Sequence, residues 1–163
     1  MRTTGKFNTL TAKSPYGHRA RSSFEDFSMQ AAILLVLLTL NPAGQTGVNF
    51  VETDDMDTCQ GKTLLLRNIL TSGGIKVLEN RCLTSPLKFS KYNHRPAAAN
   101  KAKPPKRHAY RVVIGKDALK VTPMPDLSAC ETAPKADPAG GKVYCATSTQ
   151  IMTGPGGAGT KAQ

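Results

Sequence analysis

Gly61-Lys62-Thr63 is the first point along the chain where residue type and spacing suggest chemistry. A phosphate-binding loop closes on Gly-Lys-Ser/Thr immediately before a helix, so that backbone N–H groups cradle phosphate and the lysine reaches it. That loop needs another glycine five residues before Gly61, and Met56 stands there. Asp54, Asp55 and Asp57 bring negative charge to the same approach. No nucleotide site is expected.

The stretch opening at Asp55-Met56-Asp57 resembles the start of a calcium loop only in its first acids. Its sixth position, where the sharp turn needs glycine, is Gln60, and its twelfth, where a bidentate glutamate belongs, is Leu66. Asp57 reads better as the N-cap of a helix, with Gln60 three residues later as in a capping box. His94 and His108 are the only histidines after the first 43 residues. A zinc site from Cys59, Cys82, His94 and His108 would have no recognised ligand spacing. A Cys–His nucleophile would need a free thiol and an orienting partner. Paired carboxylates could come only from Glu52 to Asp57, which nothing marks as a cleft. The residues therefore predict no catalytic site, no metal and no cofactor.

Cys59, Cys82, Cys130 and Cys145 fall in no C-x-x-C pair, and their even number fits two disulfides formed in an oxidising compartment. Four cysteines allow three connectivities. Two features favour 59–82 with 130–145. A helix from Cys59 to Gly73 spans about 21 Å and a strand from Gly74 to Cys82 about 26 Å, so the two cysteines meet at one end of a helix–turn–strand hairpin. There is also an internal echo. Gly73-Gly74-Ile75-Lys76-Val77 leads to Cys82-Leu83-Thr84-Ser85, and Gly140-Gly141-Lys142-Val143 leads to Cys145-Ala146-Thr147-Ser148. The copies differ in length, and the echo alone does not separate duplication from coincidence. Each bridge should contribute about 3 kcal/mol in the loop-entropy account.

Charge is concentrated rather than spread. The 163-residue chain carries a formal +11, and residues 80–116 hold ten basic side chains and no acid. Lys88, Lys91, Arg95, Lys101, Lys103, Lys106, Arg107 and Arg111 form the candidate anion-binding set. A cationic, proline-bearing segment of this kind attracts polyanions through counterion release. The partners it suits are an anionic envelope polymer, lipid headgroups or another polyanion. Phe89, Tyr92 and Tyr110 interleave with the cations and would stack on bases, but no helix-turn-helix, RRM or zinc-finger pattern supports nucleic acid. A solvated charged linker is the plainer interpretation of the same residues. A disulfide-stabilised protein–protein interaction module, such as an inhibitor or assembly subunit, is the alternative function.

The elements that would carry these residues follow from periodicity. Residues 31–40 are uncharged and apolar, about half the length a membrane-spanning helix requires. With Arg2, Lys6, Lys13, Arg19 and Arg21 before them and Ala43-Gly44 after Pro42, they fit a leader covering 1–43. Export to a secreted or periplasmic location is thus expected, starting from Met1 or Met29. An organellar leader, an anchor through 29–40 and a buried core helix are the alternatives. After the leader come a helix–strand unit over 44–94, a basic Pro/Ala-rich linker over 95–109, a β unit over 110–153 and a tail over 154–163. The helix is expected at 58–71, with strands near 75–82, 110–114, 118–122 and 142–151. The fold class is small α+β or mainly β: one short helix with two or three hairpin-type strand pairs, two disulfides, a flexible basic linker and disordered tails.

Overall fold

The computed structural model describes residues 31–92 and 105–154. The basic run before residue 31, the linker over 93–104 with Arg95, Lys101 and Lys103, and the tail from 155 lie outside the described residues. The protein is mainly β, with six strands, two helices and two disulfides among the described residues.

Residues 31–40, whose apolar run fits a leader or a buried core helix, are extended in the full chain. They form strand β1 (Ala32–Leu40), hydrogen-bonded on one edge to β2 (Thr46–Thr53) and on the other to β3 (Lys76–Ser85), both antiparallel. Leu34 to Leu38 are all buried, on both faces of the strand. A strand covered on both faces reads as a continuous apolar run instead of an alternating one, which is why periodicity cannot separate it from a short helix. Removing residues up to Ala43 would take the middle strand from this half of the sheet.

Helix α1 (Met56–Ser72) follows β2 directly. Its N-cap is Asp55, not Asp57: the Asp55 carboxylate accepts from the Thr58 backbone N–H at 2.6 Å and from the Thr58 hydroxyl at 2.8 Å. The cap hydrogen bonds hold the Asp55 carboxyl below its ordinary range, the Thr58 N–H first among them. Gly73 and Gly74 end the helix as expected, Gly74 at φ +74°, a left-handed conformation that glycine adopts without penalty.

The second half repeats the plan in shorter elements. Strand β4 (His108–Ile114) pairs with β5 (Leu119–Met124), helix α2 (Leu127–Thr132) follows, and β6 (Lys142–Ser148) returns to pair with the other edge of β4. His108 and Ala109, expected in the linker, open β4, while the strand expected to reach 151 ends at Ser148. The sheet order is β3-β1-β2-β6-β4-β5, two ββαβ units joined through one parallel bridge, Gly47 with Thr147.

The units agree in detail. Asp126 caps α2 as Asp55 caps α1, accepting from the N–H three residues on at 2.8 Å. Four residues after each cap stands the helix cysteine, Cys59 or Cys130, bonded to Cys82 of β3 or Cys145 of β6. Three residues after each strand cysteine is a buried serine, Ser85 or Ser148, whose hydroxyl accepts from the N–H two residues further, at 3.2 and 3.1 Å. Seven residues after each strand cysteine lie Phe89 and Met152, which bridge to one another. A pair of equivalent positions meeting each other is what a two-fold relation between the units requires. The sequence echo is thus the visible part of a structural repeat.

One face of both halves builds a single core. Leu34, Val36, Leu38, Val48 and Phe50 of the first unit cluster with Tyr110, Val112, Ile114 and Val121 of the second. The Phe89 ring stacks on Phe50 at 3.8 Å, and Tyr110 meets both edge-on. The opposite face carries the helices: α1 covers Leu35 and Leu37, and the Cys130 end of α2 packs over β4 beside Tyr110. Gly141, just before β6, comes so close to Val113 that a Cβ there would stand 2.7 Å from a valine methyl.

Candidate functional site

The eight candidate anion-binding residues separate into three groups. Arg95, Lys101 and Lys103 lie outside the described residues. Lys88, Arg107 and Arg111 are engaged by the fold. Lys88 Nζ is 3.0 Å from Glu52 Oε1, Arg107 Nε donates to the Thr147 hydroxyl at 2.9 Å, and an Arg111 terminal nitrogen donates to the Pro134 carbonyl at 2.8 Å. Arg111 Nε is buried without a hydrogen-bond partner. Lys91 and Lys106 are exposed, at the two ends of the segment that joins the units. Among the described members of the set only Lys88 is paired with a carboxylate.

The two junctions between the units define the rest of the polar geometry. At the β2–β6 junction the backbone ladder is a single bridge, and Gln150 continues it with its side chain. The Gln150 amide accepts from Phe50 N at 2.8 Å and donates to Phe50 O and Ser90 O, both at 2.8 Å. A side-chain carboxamide thereby stands in for a peptide group of the neighbouring strand. The Tyr110 hydroxyl donates to the Gln150 carbonyl at 2.8 Å and accepts from Met152 N, and burial pushes this phenol up.

At the other junction β3 and β5 are the free edges of the sheet. Arg81 donates to the Lys116 carbonyl at 2.7 Å, and Glu79 accepts from Lys142 Nζ at 2.7 Å and from the Tyr144 hydroxyl at 2.8 Å. These side chains reach from the β3 edge to the second unit, so the sheet curls around its core. Burial alone would raise Glu79. The hydrogen bonds from Lys142 and Tyr144, with the charges of Lys142 and Arg81, outweigh it and hold the carboxyl below its ordinary value. Tyr144 is pushed up to about 12, by burial first and then by its bond to the Glu79 carboxylate.

Gly61-Lys62-Thr63 lies inside α1, and no loop is present there to cradle phosphate. Residues 56–66 of the calcium-like stretch are helical as well. His108 stands opposite Ser148 within the sheet, and His94 lies outside the described residues. Among the described residues no three His, Cys, Asp or Glu side chains converge as metal ligands. An open cleft of about 650 Å³ lies where the chain enters β1, beside Glu52, Asp54 and Lys88. A second, of about 480 Å³, lies between the β4–β5 turn and Asp137. Among the described residues no helix is long and apolar enough to cross a membrane.

Two features escape the sequence reading. Gln150 carries no motif, since its role depends on Phe50 a hundred residues away. The helical spacing of Leu65, Leu66, Ile69 and Leu70 fits a helix and leaves open which of them it buries. The helix buries Cys59 and half-buries Leu66 and Leu70, while Leu64, Leu65 and Ile69 stay exposed. The signal for this division is the presence of both Leu65–Ile69 and Leu66–Leu70, two i,i+4 pairs one residue apart.

The fold and its junctions define a disulfide-stapled tandem ββαβ protein whose halves are joined by a cationic connection. Comparison of the chain with known proteins finds no matching family model, no matching curated protein and no matching solved structure.

Proposed function

We propose that the protein is an exported, non-enzymatic, disulfide-stapled module that contacts an anionic surface or polymer through residues 80–116. The observation that supports this reading is the charge pattern: the segment holds no acid, and Lys91 and Lys106 stand exposed at the ends of the connection. Two disulfides are compatible with an extracellular protein. A cut after Ala43 would remove β1, so on this reading any processing that keeps the fold falls before Ala32. The mass of the exported product reads this directly.

The binding test uses the full oxidised chain on heparin and on vesicles with and without anionic lipid, across a salt series. Retention should fall steeply with salt, because each neutralised anion releases counterions. Replacing Arg95, Lys101, Lys103 and Lys106 with Gln should flatten that dependence. On a nucleic-acid-like polyanion the log–log slope should drop by about 0.7 to 0.9 for each cation–phosphate pair removed. Retention unchanged in that variant would sink the proposal. A protein–protein interaction module is the second reading, favoured by the apolar side chains that α1 turns to solvent.

A further inference from the structure

We propose that α1 is a self-association surface on which two copies of this chain pair antiparallel, with Leu65 on the two-fold axis. The inference is independent of anion binding and rests on the outward face of one helix. Leu64, Leu65 and Ile69 are 67%, 59% and 57% exposed, although each is a core-forming residue type. They share a face with Gly61, above which no atom lies within 4 Å. The opposite face of α1, with Cys59, Leu66 and Leu70, is already packed on its own sheet. The helix therefore has two apolar faces, and among the described residues only one of them is covered.

The order of residues selects the occupant. Gly61 and Ile69 are each four positions from Leu65, about 6 Å along the axis. When a second α1 is laid antiparallel with Leu65 against Leu65, each Ile69 enters the hole bounded by Thr58, Gly61, Lys62 and Leu65 of the other copy. Knob and hole are supplied by the same sequence, which is the self-complementarity a two-fold interface demands. Charge selects the same direction. The N-terminal end of α1 carries Asp54 and Asp57, beyond the capping Asp55 and the Lys88-paired Glu52, whereas Lys76 follows its C-terminal end and Lys62 and Arg67 lie on either side of Leu65. Antiparallel pairing about Leu65 turns Asp54 and Asp57 of each copy toward Lys76 of the other and opposes the helix dipoles favourably. A parallel pair would set like against like, and an anionic lipid surface would meet the acidic end.

The test is sedimentation velocity of the full oxidised chain over a wide concentration range, with two variants. The wild type should form a dimer. Leu65→Glu places a charge on the axis and should weaken dimerisation about tenfold or more. Gly61→Leu fills the hole, meets no neighbour in its own chain and improves helix propensity, so it should dissociate the dimer without lowering the thermal midpoint measured at a concentration where the wild type is monomeric. A wild type that stays monomeric at the highest concentration overturns the proposal, as does a dimer that persists in either variant. A monomer that cosediments with anionic vesicles through Leu65 overturns it too, by showing that lipid covers this face.

Discussion

The two junctions between the ββαβ units occupy equivalent places and are made differently. Where β2 meets β6, the chain supplies Gln150, whose amide completes the hydrogen bonding of Phe50. Five residues beyond the other strand cysteine, the position matching Gln150 holds Leu87, which has no polar group to offer. On β5, the position matching Glu52 holds Pro123, which has no N–H to donate. Among the described residues no backbone ladder joins β3 to β5, and the β3 side chains reach the second unit elsewhere, Arg81 to the Lys116 carbonyl before β5 and Glu79 to Lys142 and Tyr144 of β6. A repeated unit thus yields one buried, zipped junction and one bridged by charged side chains. The difference lies in a few side chains, while the plan of the strands is the same.

Gln150→Leu, which copies the residue of the open side onto the zipped side, should have the largest effect. It leaves Phe50 N, Phe50 O and Ser90 O without the partner each now has, and a buried group so orphaned costs roughly 1–3 kcal/mol. Chemical denaturation should show a stability decrease of about 3 kcal/mol or more, with faster hydrogen exchange at the Phe50 amide. If water enters and the decrease stays below about 1 kcal/mol, the two junctions are energetically alike and the contrast fails.

The two disulfides also sit in unequal local surroundings. Their loops, 23 and 15 residues, predict nearly equal contributions of about 3 kcal/mol each. Local support differs. The 17-residue α1 is also tied to β3 by Asn80, which donates to the Thr63 carbonyl at 2.7 Å. The six-residue α2 is too short to persist alone. Replacing Cys130 and Cys145 together with Ala should therefore release α2, erasing exchange protection over 127–132. The same change at Cys59 and Cys82 should lower α1 protection only by the global decrease in stability. Equal local effects would show that helix length plays no part.

Legibility in the sequence follows the same division. The glycine stop of α1 and the β4–β5 hairpin rest on local spacing, which is enough for them, while spacing and the internal echo only favour the disulfide pairing that the fold makes. Strand β1 is not legible because burial on both faces removes its period-2 signature and leaves the apolar run of a leader. Strand β2 is hidden by its acidic end, and α2 by its six-residue length. The cap falls on Asp55 instead of Asp57 because several acids close together each fit the motif, and only the backbone turn selects one. The cationic segment is plain in the composition. Which of its residues the fold engages depends on Glu52, Thr147 and Pro134, all distant in sequence.

The smallest expected effect concerns the open junction and is read by pH. Glu79 titrates below its ordinary 4.5 in the fold, so its contribution is complete above that value and is lost as pH falls through the folded value. Tyr144 moves the other way, from 10.0 to about 12. Its neutral form is favoured in the fold, so its contribution is complete below pH 10 and disappears as pH rises through about 12. The junction should hold firmly between those limits and loosen outside both. The difference in denaturation midpoint between wild type and Glu79→Gln isolates this from the other carboxylates. That difference should be constant from about pH 5 to 9 and shrink toward acid, because the variant has no proton to gain at position 79. On the alkaline side it should shrink as well, since Tyr144 without the carboxylate ionises closer to its ordinary range. A difference that stays flat into acid would mean that Glu79 does not hold the β3 edge against β6. The open junction would then rest on Arg81 and the Lys116 carbonyl alone.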